Sequence, residues 1–206
     1  MDADARKEHW EEVYHTKAAD TVSWFQPVPL TSLELITGVC PDKKAAIIDI
    51  GCGDAFLSEA LLQRGYENLS ALDISHEAIE RARKRIGAGA DEITWLAGDV
   101  LDFKPHATFD FWHDRAAFHF LTMPEDISAY ADIAGKGIKP GGWLLVAAFS
   151  ETGPDKCSGL PVHQYNEKSL SLVFRHDFEL VKTMAEKHRT PAGKEQDFIF
   201  CLFKKV

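Results

Sequence analysis

An α/β, doubly wound (Rossmann-like), mostly parallel sheet is the fold class this 206-residue sequence predicts, on three observations. From residue 45 onward, short apolar runs alternate with amphipathic helical stretches, which implies right-handed βαβ crossovers. A strand running into a glycine turn and then a helix, Ile47 to Leu57, opens that region. The last two strand segments have only Lys187–Lys194 between them, so they form an antiparallel hairpin at the edge of the sheet. With 45% hydrophobic and 27% charged residues, the chain is long enough for one sizeable core and short for two. The expected organisation is a single domain, 1–206, with an N-terminal helical lid over 1–42 and a core over 43–206.

The lid region contains a short helical segment, Arg6 to Lys17, and a second opened by Pro29 and ended by Gly38 and Pro41. Ala45–Ile50 is a short strand, apolar apart from its acid Asp49. Ala55–Arg64 is a helix with Gly65 at its C-terminal stop. Leu69–Ile74 is the second strand, and Ser75 caps the helix that runs to Arg85. Arg81, Arg83, Lys84 and Arg85 read as the solvated face of that helix. Ile93–Leu96, Phe109–Trp112 and Trp143–Phe149 supply three more strands. A helix starts near Pro124, and Gly141-Gly142 turns the chain into the last of the three. Ser150–Tyr165 is a polar loop too long and too rich in glycine and proline to be mere connection. Glu167–Phe174 is a helix, Phe178–Met184 a strand, and Phe198–Phe203 a central strand buried on both sides.

Composition narrows the function classes. The 23 basic and 32 acidic side chains leave a formal charge of −9, against a dedicated nucleic-acid binder. The longest apolar run, Trp143 to Phe149, has a strand's length and cannot span a bilayer, so no membrane partner is expected. The four cysteines are far apart, the N-terminus has no apolar stretch, and a cytoplasmic location follows. No Cys-x-x-Cys exists, and Asp114/His119 and Cys157/His163 lack the short ligand spacing of zinc sites, so no metal is expected.

The most informative segment is Asp49-Ile50-Gly51-Cys52-Gly53-Asp54. The glycines allow a sharp turn and a close ligand approach. Asp73 follows Gly53 by 20 positions at the end of the second strand, where an acid can accept from the vicinal hydroxyls of a ribose. A dinucleotide site needs a third glycine where Phe56 stands, and Asp49 and Asp54 would repel a pyrophosphate. Acids around the turn suit a ligand with a positive centre and an ammonium group, as in S-adenosylmethionine. Asp99, after the third strand, can receive an adenine amino group, with Val100 a backbone donor. The plainer alternative is a βα turn with acids capping helices.

These motifs resemble those of class I S-adenosylmethionine-dependent methyltransferases. The matching stretches are Asp49 to Gly53, Ala71-Leu72-Asp73-Ile74-Ser75, Gly98-Asp99-Val100 and Lys139-Pro140-Gly141-Gly142. The resemblance implies a seven-stranded sheet whose last strand inserts antiparallel. It also implies a cofactor site of Asp49, Gly51, Cys52, Gly53, Asp73, Ile74, Asp99, Val100 and His113, leaving S-adenosylhomocysteine as product. Three flanking stretches are similar to the thiopurine S-methyltransferase group: His9 to Tyr14 with Val22 to Gln26, Trp112 to Ala117, and Gly159 to Val162. Ala116 stands where that group has glycine. Trp10, Tyr14 and Trp24 then form an aromatic cover over the adenosine.

Methyl transfer from a sulfonium is an in-line displacement that needs alignment and exclusion of water more than it needs a base. Arg115 is placed to stabilise an anionic nucleophile and His119 to act as base, with Asp114 beside them. The plainer alternative is a buried Asp114–Arg115 pair and a His119 bonded to a backbone carbonyl. A thiol already has some thiolate near pH 7, whereas a lysine amine needs more help. The leading expectation is methyl transfer to a small soft nucleophile, a thiol or related chalcogen compound, by a monomer or weak dimer. A protein-lysine methyltransferase and a non-catalytic cofactor-binding module are the alternatives.

Overall fold

The computed structural model describes residues 3–105 and 107–206. Helix α1 (Ala3–Thr16) and helix α2 (Leu30–Val39) precede the sheet. The alternating part follows as β1 (Ala46–Ile50), α3 (Phe56–Leu62), β2 (Asn68–Asp73), α4 (His76–Ile86), β3 (Ile93–Ala97), β4 (Phe109–Arg115), α5 (Pro124–Gly137) and β5 (Ile138–Phe149). A small hairpin, β6 (Lys156–Cys157) and β7 (Leu160–Pro161), helix α6 (Glu167–Phe174), β8 (Phe178–Arg189) and β9 (Glu195–Lys205) complete the chain.

The seven-stranded sheet has the order β3-β2-β1-β4-β5-β9-β8. Its first five strands are parallel, and β9 enters antiparallel between β5 and β8. The expected fold class is therefore observed, including the inserted last strand. That strand is central because Phe198, Phe200, Cys201, Leu202 and Phe203 are buried from both faces. Helices cover both faces of the sheet there, so the run needs no polar alternation.

Alternation along β1 and β4 sends successive side chains to opposite faces. Ile47 and Phe111 join α2 and α3 in one core layer. Ile48, Ile50 and Trp112 join α5 and α6 in the other. Asp49, His113 and Arg115 therefore point to the α2/α3 face, while Asp114 points to the α5/α6 face.

Several boundaries differ from expectation. Strand β4 continues three residues past Trp112 to Arg115, because Asp114 and Arg115 still pair with Val146 and Ala147. Gly141-Gly142 lies inside β5, and Asp110 O sits 3.1 Å from where a Cβ on Gly142 would be. Strand β8 runs to Arg189, since its charged residues keep pairing with β9. The 150–165 loop contains the β6–β7 hairpin, whose turn residues Ser158 and Gly159 both have positive φ. Two such residues at the centre of a two-residue turn match the twist of the flanking strands.

Arg81 and Arg85 are not a solvated face. Arg81 forks onto both Asp54 oxygens (2.6 and 2.8 Å) and donates to the carbonyls of Tyr14 and Lys17. Arg85 pairs with Glu59, donates to the Asp54 carbonyl and covers the Phe56 ring. Helix α4 is thus tied to the glycine turn and to the end of α1. The helical periodicity located these arginines on one face but could not show that α1 and α3 cover it.

Candidate functional site

The parallel strand order reverses direction between β1 and β4, and the C-terminal ends of β1, β2, β3 and β4 open onto a common cleft there. Such switch points are where open α/β sheets bind ligands. The cleft, about 770 Å³ with its opening to solvent included, is lined by Gly51, Asp73, Ile74, Asp99 and Val100 from the sheet side. Arg6, Trp10 and Tyr14 of α1 and Trp24 roof it, and Arg115, Phe120 and Cys157 close its far end. A second cavity of about 530 Å³ lies on the α2/α3 side of the glycine turn, lined by Asp49, Cys52, Gly53, Asp54 and His113. Gly51, Trp24 and Arg115 border both.

The turn itself is held from below. Gly51 and Gly53 have φ of +63° and +52°, a region that strains other residues. Asp73 Oδ2 accepts from Gly53 N–H (2.8 Å) and Oδ1 from Ser75 N–H (2.9 Å). Burial raises the Asp73 carboxyl to about 6 against these two donors. Each oxygen keeps a further lone pair for a ligand hydroxyl.

Asp49 and His113 sit together. His113 Nδ1 lies 2.7 Å from Asp49 Oδ1, and its Nε2 lies 2.8 Å from Ser32 Oγ on α2. All three side chains are buried. Asp49 and His113 border the second cavity rather than the roofed cleft, and Ser32 holds His113 from behind. Asp99 is also engaged: Arg6 forks onto Oδ2 (2.7 and 3.1 Å), and Oδ1 accepts from Leu101 N–H. Asp99 is therefore shared with α1 before any ligand reaches it.

Of the three residues expected to act on the acceptor, Arg115 alone lines the cleft. Asp114 lies on the opposite sheet face, fully buried, and does not pair with Arg115. It accepts from Tyr130 Oη (2.8 Å), Phe118 N–H (3.0 Å) and Ala117 N–H (3.1 Å), and burial raises it to about 6. Its place is beneath the site, holding the turn at Ala116, whose φ is +66°. His119 Nδ1 accepts from Phe149 N–H (3.3 Å) rather than donating to a carbonyl. Burial first, and Arg115 second, lower His119 to about 3, so it is a neutral ring near pH 7.

Sequence reasoning missed Arg6 and Glu11. Glu11 accepts from Ser75 Oγ (2.7 Å) and from the N–H groups of His76 and Glu77 (both 2.9 Å), so α1 caps the start of α4. Burial opposes ionisation of Glu11, yet these hydrogen bonds hold its carboxyl below the usual range. Both residues lie in or at the edge of the expected N-terminal helix, but their partners, Asp99 and the start of α4, are far away in the sequence.

The methyltransferase domain family matches residues 47–142. The match spans β1 to the glycines of β5, and so contains every sheet-side wall of the cleft. Residues 47–142 are a methyltransferase domain.

The chain is 26% identical over 159 residues to a malonyl-[acyl-carrier protein] O-methyltransferase of Ilyobacter polytropus, covering 73% of this chain and 57% of that protein. The chain spans little more than half the length of this relative and of an uncharacterized mycobacterial methyltransferase it also matches, and less than half of some others. Among solved structures, one concerned with conversion of a disulfide bond into a thioacetal group during echinomycin biosynthesis aligns with a TM-score of 0.76 and 20% identity, over 97% of this chain and 92% of that one. The N-methyltransferase NodS of Bradyrhizobium japonicum, in complex with S-adenosylhomocysteine, aligns with a TM-score of 0.71 and 17% identity, over 95% and 97%. At these identities the structural likeness extends the fold of the methyltransferase domain to nearly the whole chain.

The lining suits S-adenosylmethionine. Asp73 keeps lone pairs for ribose hydroxyls, Val100 and Leu72 offer apolar walls for a purine, and the roof is aromatic. Among the described residues, no group of three or more His, Cys, Asp or Glu could hold a metal. No described helix is long and apolar enough to cross a membrane.

Proposed function

We propose that this chain is an S-adenosylmethionine-dependent methyltransferase acting on a small soft nucleophile, a thiol or related chalcogen compound. The observation that carries the reading is the single cleft in which Gly51, Asp73 and Val100 line one end and Arg115 the other, under an aromatic roof. When bound, the cofactor supplies a methyl group on a sulfonium, already activated for displacement. Asp73 takes the ribose hydroxyls, Gly51 and Gly53 admit the ligand to backbone contact, and Asp49, steadied by His113, faces its positively charged end. Asp99, with Arg6, borders the adenine. Trp10, Tyr14 and Trp24 exclude water, which strengthens every electrostatic contact inside. Arg115 stabilises the anionic form of the acceptor, so no general base is required. A roofed cleft favours a small acceptor over a protein chain, which needs an open groove.

The test uses S-adenosylmethionine with a labelled methyl group, incubated with a panel of small thiols and separately with cell lysate. Label in volatile or small products supports the reading. Label in precipitated protein overturns it in favour of protein methylation, and cofactor bound but never consumed overturns it in favour of a binding module.

A further inference from the structure

Every other charged side chain that lines either cavity has the polar atoms of its charged group hydrogen-bonded or ion-paired within the protein. Arg6 lies against Asp99 and Asp126, Asp54 against Arg81, and Asp49 against His113. Asp73 receives two backbone N–H groups. Arg115 is the exception. Its Nη1 donates to the Trp24 carbonyl (3.1 Å), while Nε and Nη2 are buried with no hydrogen-bond partner. No carboxylate among the described residues lies within ion-pair distance of it; the nearby Glu186 carboxylate accepts instead from Gln26 Nε2 (2.9 Å). One face of the guanidinium rests on the Phe198 ring, 4.7 Å from its centroid. Burial alone pulls this guanidinium down to about 10.

A desolvated cation without a counter-ion is among the costliest features a core can hold. Here it stands at the junction of two cavities. Its neighbours in the cleft are apolar: Trp10 packs edge-on against Trp24 and Phe120, at centroid separations of 5.8 and 4.9 Å. An apolar wall with one unmatched positive charge is complementary to an apolar body carrying a negative one.

We propose that Arg115 is a ligand-reading residue whose guanidinium receives a carboxylate-class anion from a molecule occupying the aromatic end of the cleft. This rests on the methyltransferase reading. The anion has two sources of the same chemistry: a carboxylate on the acceptor, or the carboxylate of the cofactor's amino-acid tail.

Calorimetry on the wild type, Arg115→Gln and Arg115→Lys tests this. Gln keeps a donor for the Trp24 carbonyl but removes the charge; Lys keeps the charge. In one arm, protein saturated with S-adenosylhomocysteine is titrated with benzoate and with benzamide. A benzoate preference of about tenfold, lost in Arg115→Gln and partly kept in Arg115→Lys, assigns the anion to the acceptor. In the other arm, each protein is titrated with S-adenosylhomocysteine and with methylthioadenosine, which lacks the amino-acid tail. A selective loss of S-adenosylhomocysteine affinity in Arg115→Gln assigns the anion to the cofactor. The proposal is overturned if Arg115→Gln binds all four ligands as the wild type does, or weakens all four equally. If the wild type binds neither nucleoside, the methyltransferase reading itself fails, and titration of the free protein with benzoate and benzamide decides Arg115 alone.

Discussion

The Tyr14 hydroxyl lies 2.6 Å from the position a Cβ on Gly53 would occupy. The second glycine of the turn is thus in contact with a side chain of the roof, and its missing Cβ makes room for α1 as well as for a ligand. Gly51 has the same relation to Ala117, whose Cβ lies 2.5 Å from a Cβ built there.

Gly53→Ala therefore carries two costs, the left-handed backbone and the clash with Tyr14. The backbone cost is about 1–2 kcal/mol, and the clash adds to it. Denaturant unfolding of Gly53→Ala, Tyr14→Ala and the double variant measures the split. The double variant is expected to be more stable than the sum of the single losses, because only the clash is relieved. Strict additivity would mean that Tyr14 gives way freely.

Cofactor affinity is expected to rise with pH through about 6, the value at which buried Asp73 ionises. The protonated carboxyl has lost acceptor capacity for ribose hydroxyls. S-adenosylhomocysteine titrations between pH 5 and 7.5 should show this rise in the wild type and a flat, weak response in Asp73→Asn. Because Asp73 also holds Gly53 and Ser75, Asp73→Ala should loosen the turn as well as abolish binding.

Asp114 titrates near 6 in the folded protein and near the ordinary 3.8 when unfolded. Between those values the native state binds the extra proton, so this group's contribution to stability falls as pH rises from about 4 to about 6, and is constant above. Asp114→Asn removes that slope. At pH 4 the variant should be less stable than the wild type by about 1–3 kcal/mol, since its amide cannot accept from Tyr130, Phe118 and Ala117 together. The deficit should narrow by pH 7, and urea midpoints across that range check it.

Glu11→Gln weakens the anchor of α1 on the start of α4. Hydrogen exchange in residues 3–16 is expected to speed up while the sheet strands stay protected, and bound S-adenosylhomocysteine should dissociate faster. In the wild type the same loosening sets in as pH falls below the ordinary carboxylate range, because the depressed Glu11 carboxyl is then protonated.

His119→Gln retains an acceptor for the Phe149 N–H and should leave the pH dependence of methyl transfer unchanged, since the histidine is already neutral above about pH 3. A lost rate limb near neutral pH in this variant would restore His119 as a base.

Local pattern was enough for the α/β class, the glycine turn and Asp73, because strand periodicity, glycine's access to positive φ and the strand-end position of an acid are all properties of short segments. That Phe198–Phe203 is central was legible from one apolar run with no polar alternation, whereas its antiparallel insertion was implied by the resemblance to methyltransferases. What neighbours do to a charge was not legible. Arg6 and Asp99 are 93 residues apart and Arg81 and Asp54 are 27 apart, yet each pair decides whether a carboxylate is open to a ligand. Asp114 and Arg115 are adjacent in the chain, and strand alternation sends them to opposite faces of the sheet, one beneath the site and one into it. The sequence by itself determined the sheet and the turn; only the tertiary structure decided which charges are matched, because desolvation and ion pairing depend on what the fold brings within a few ångströms.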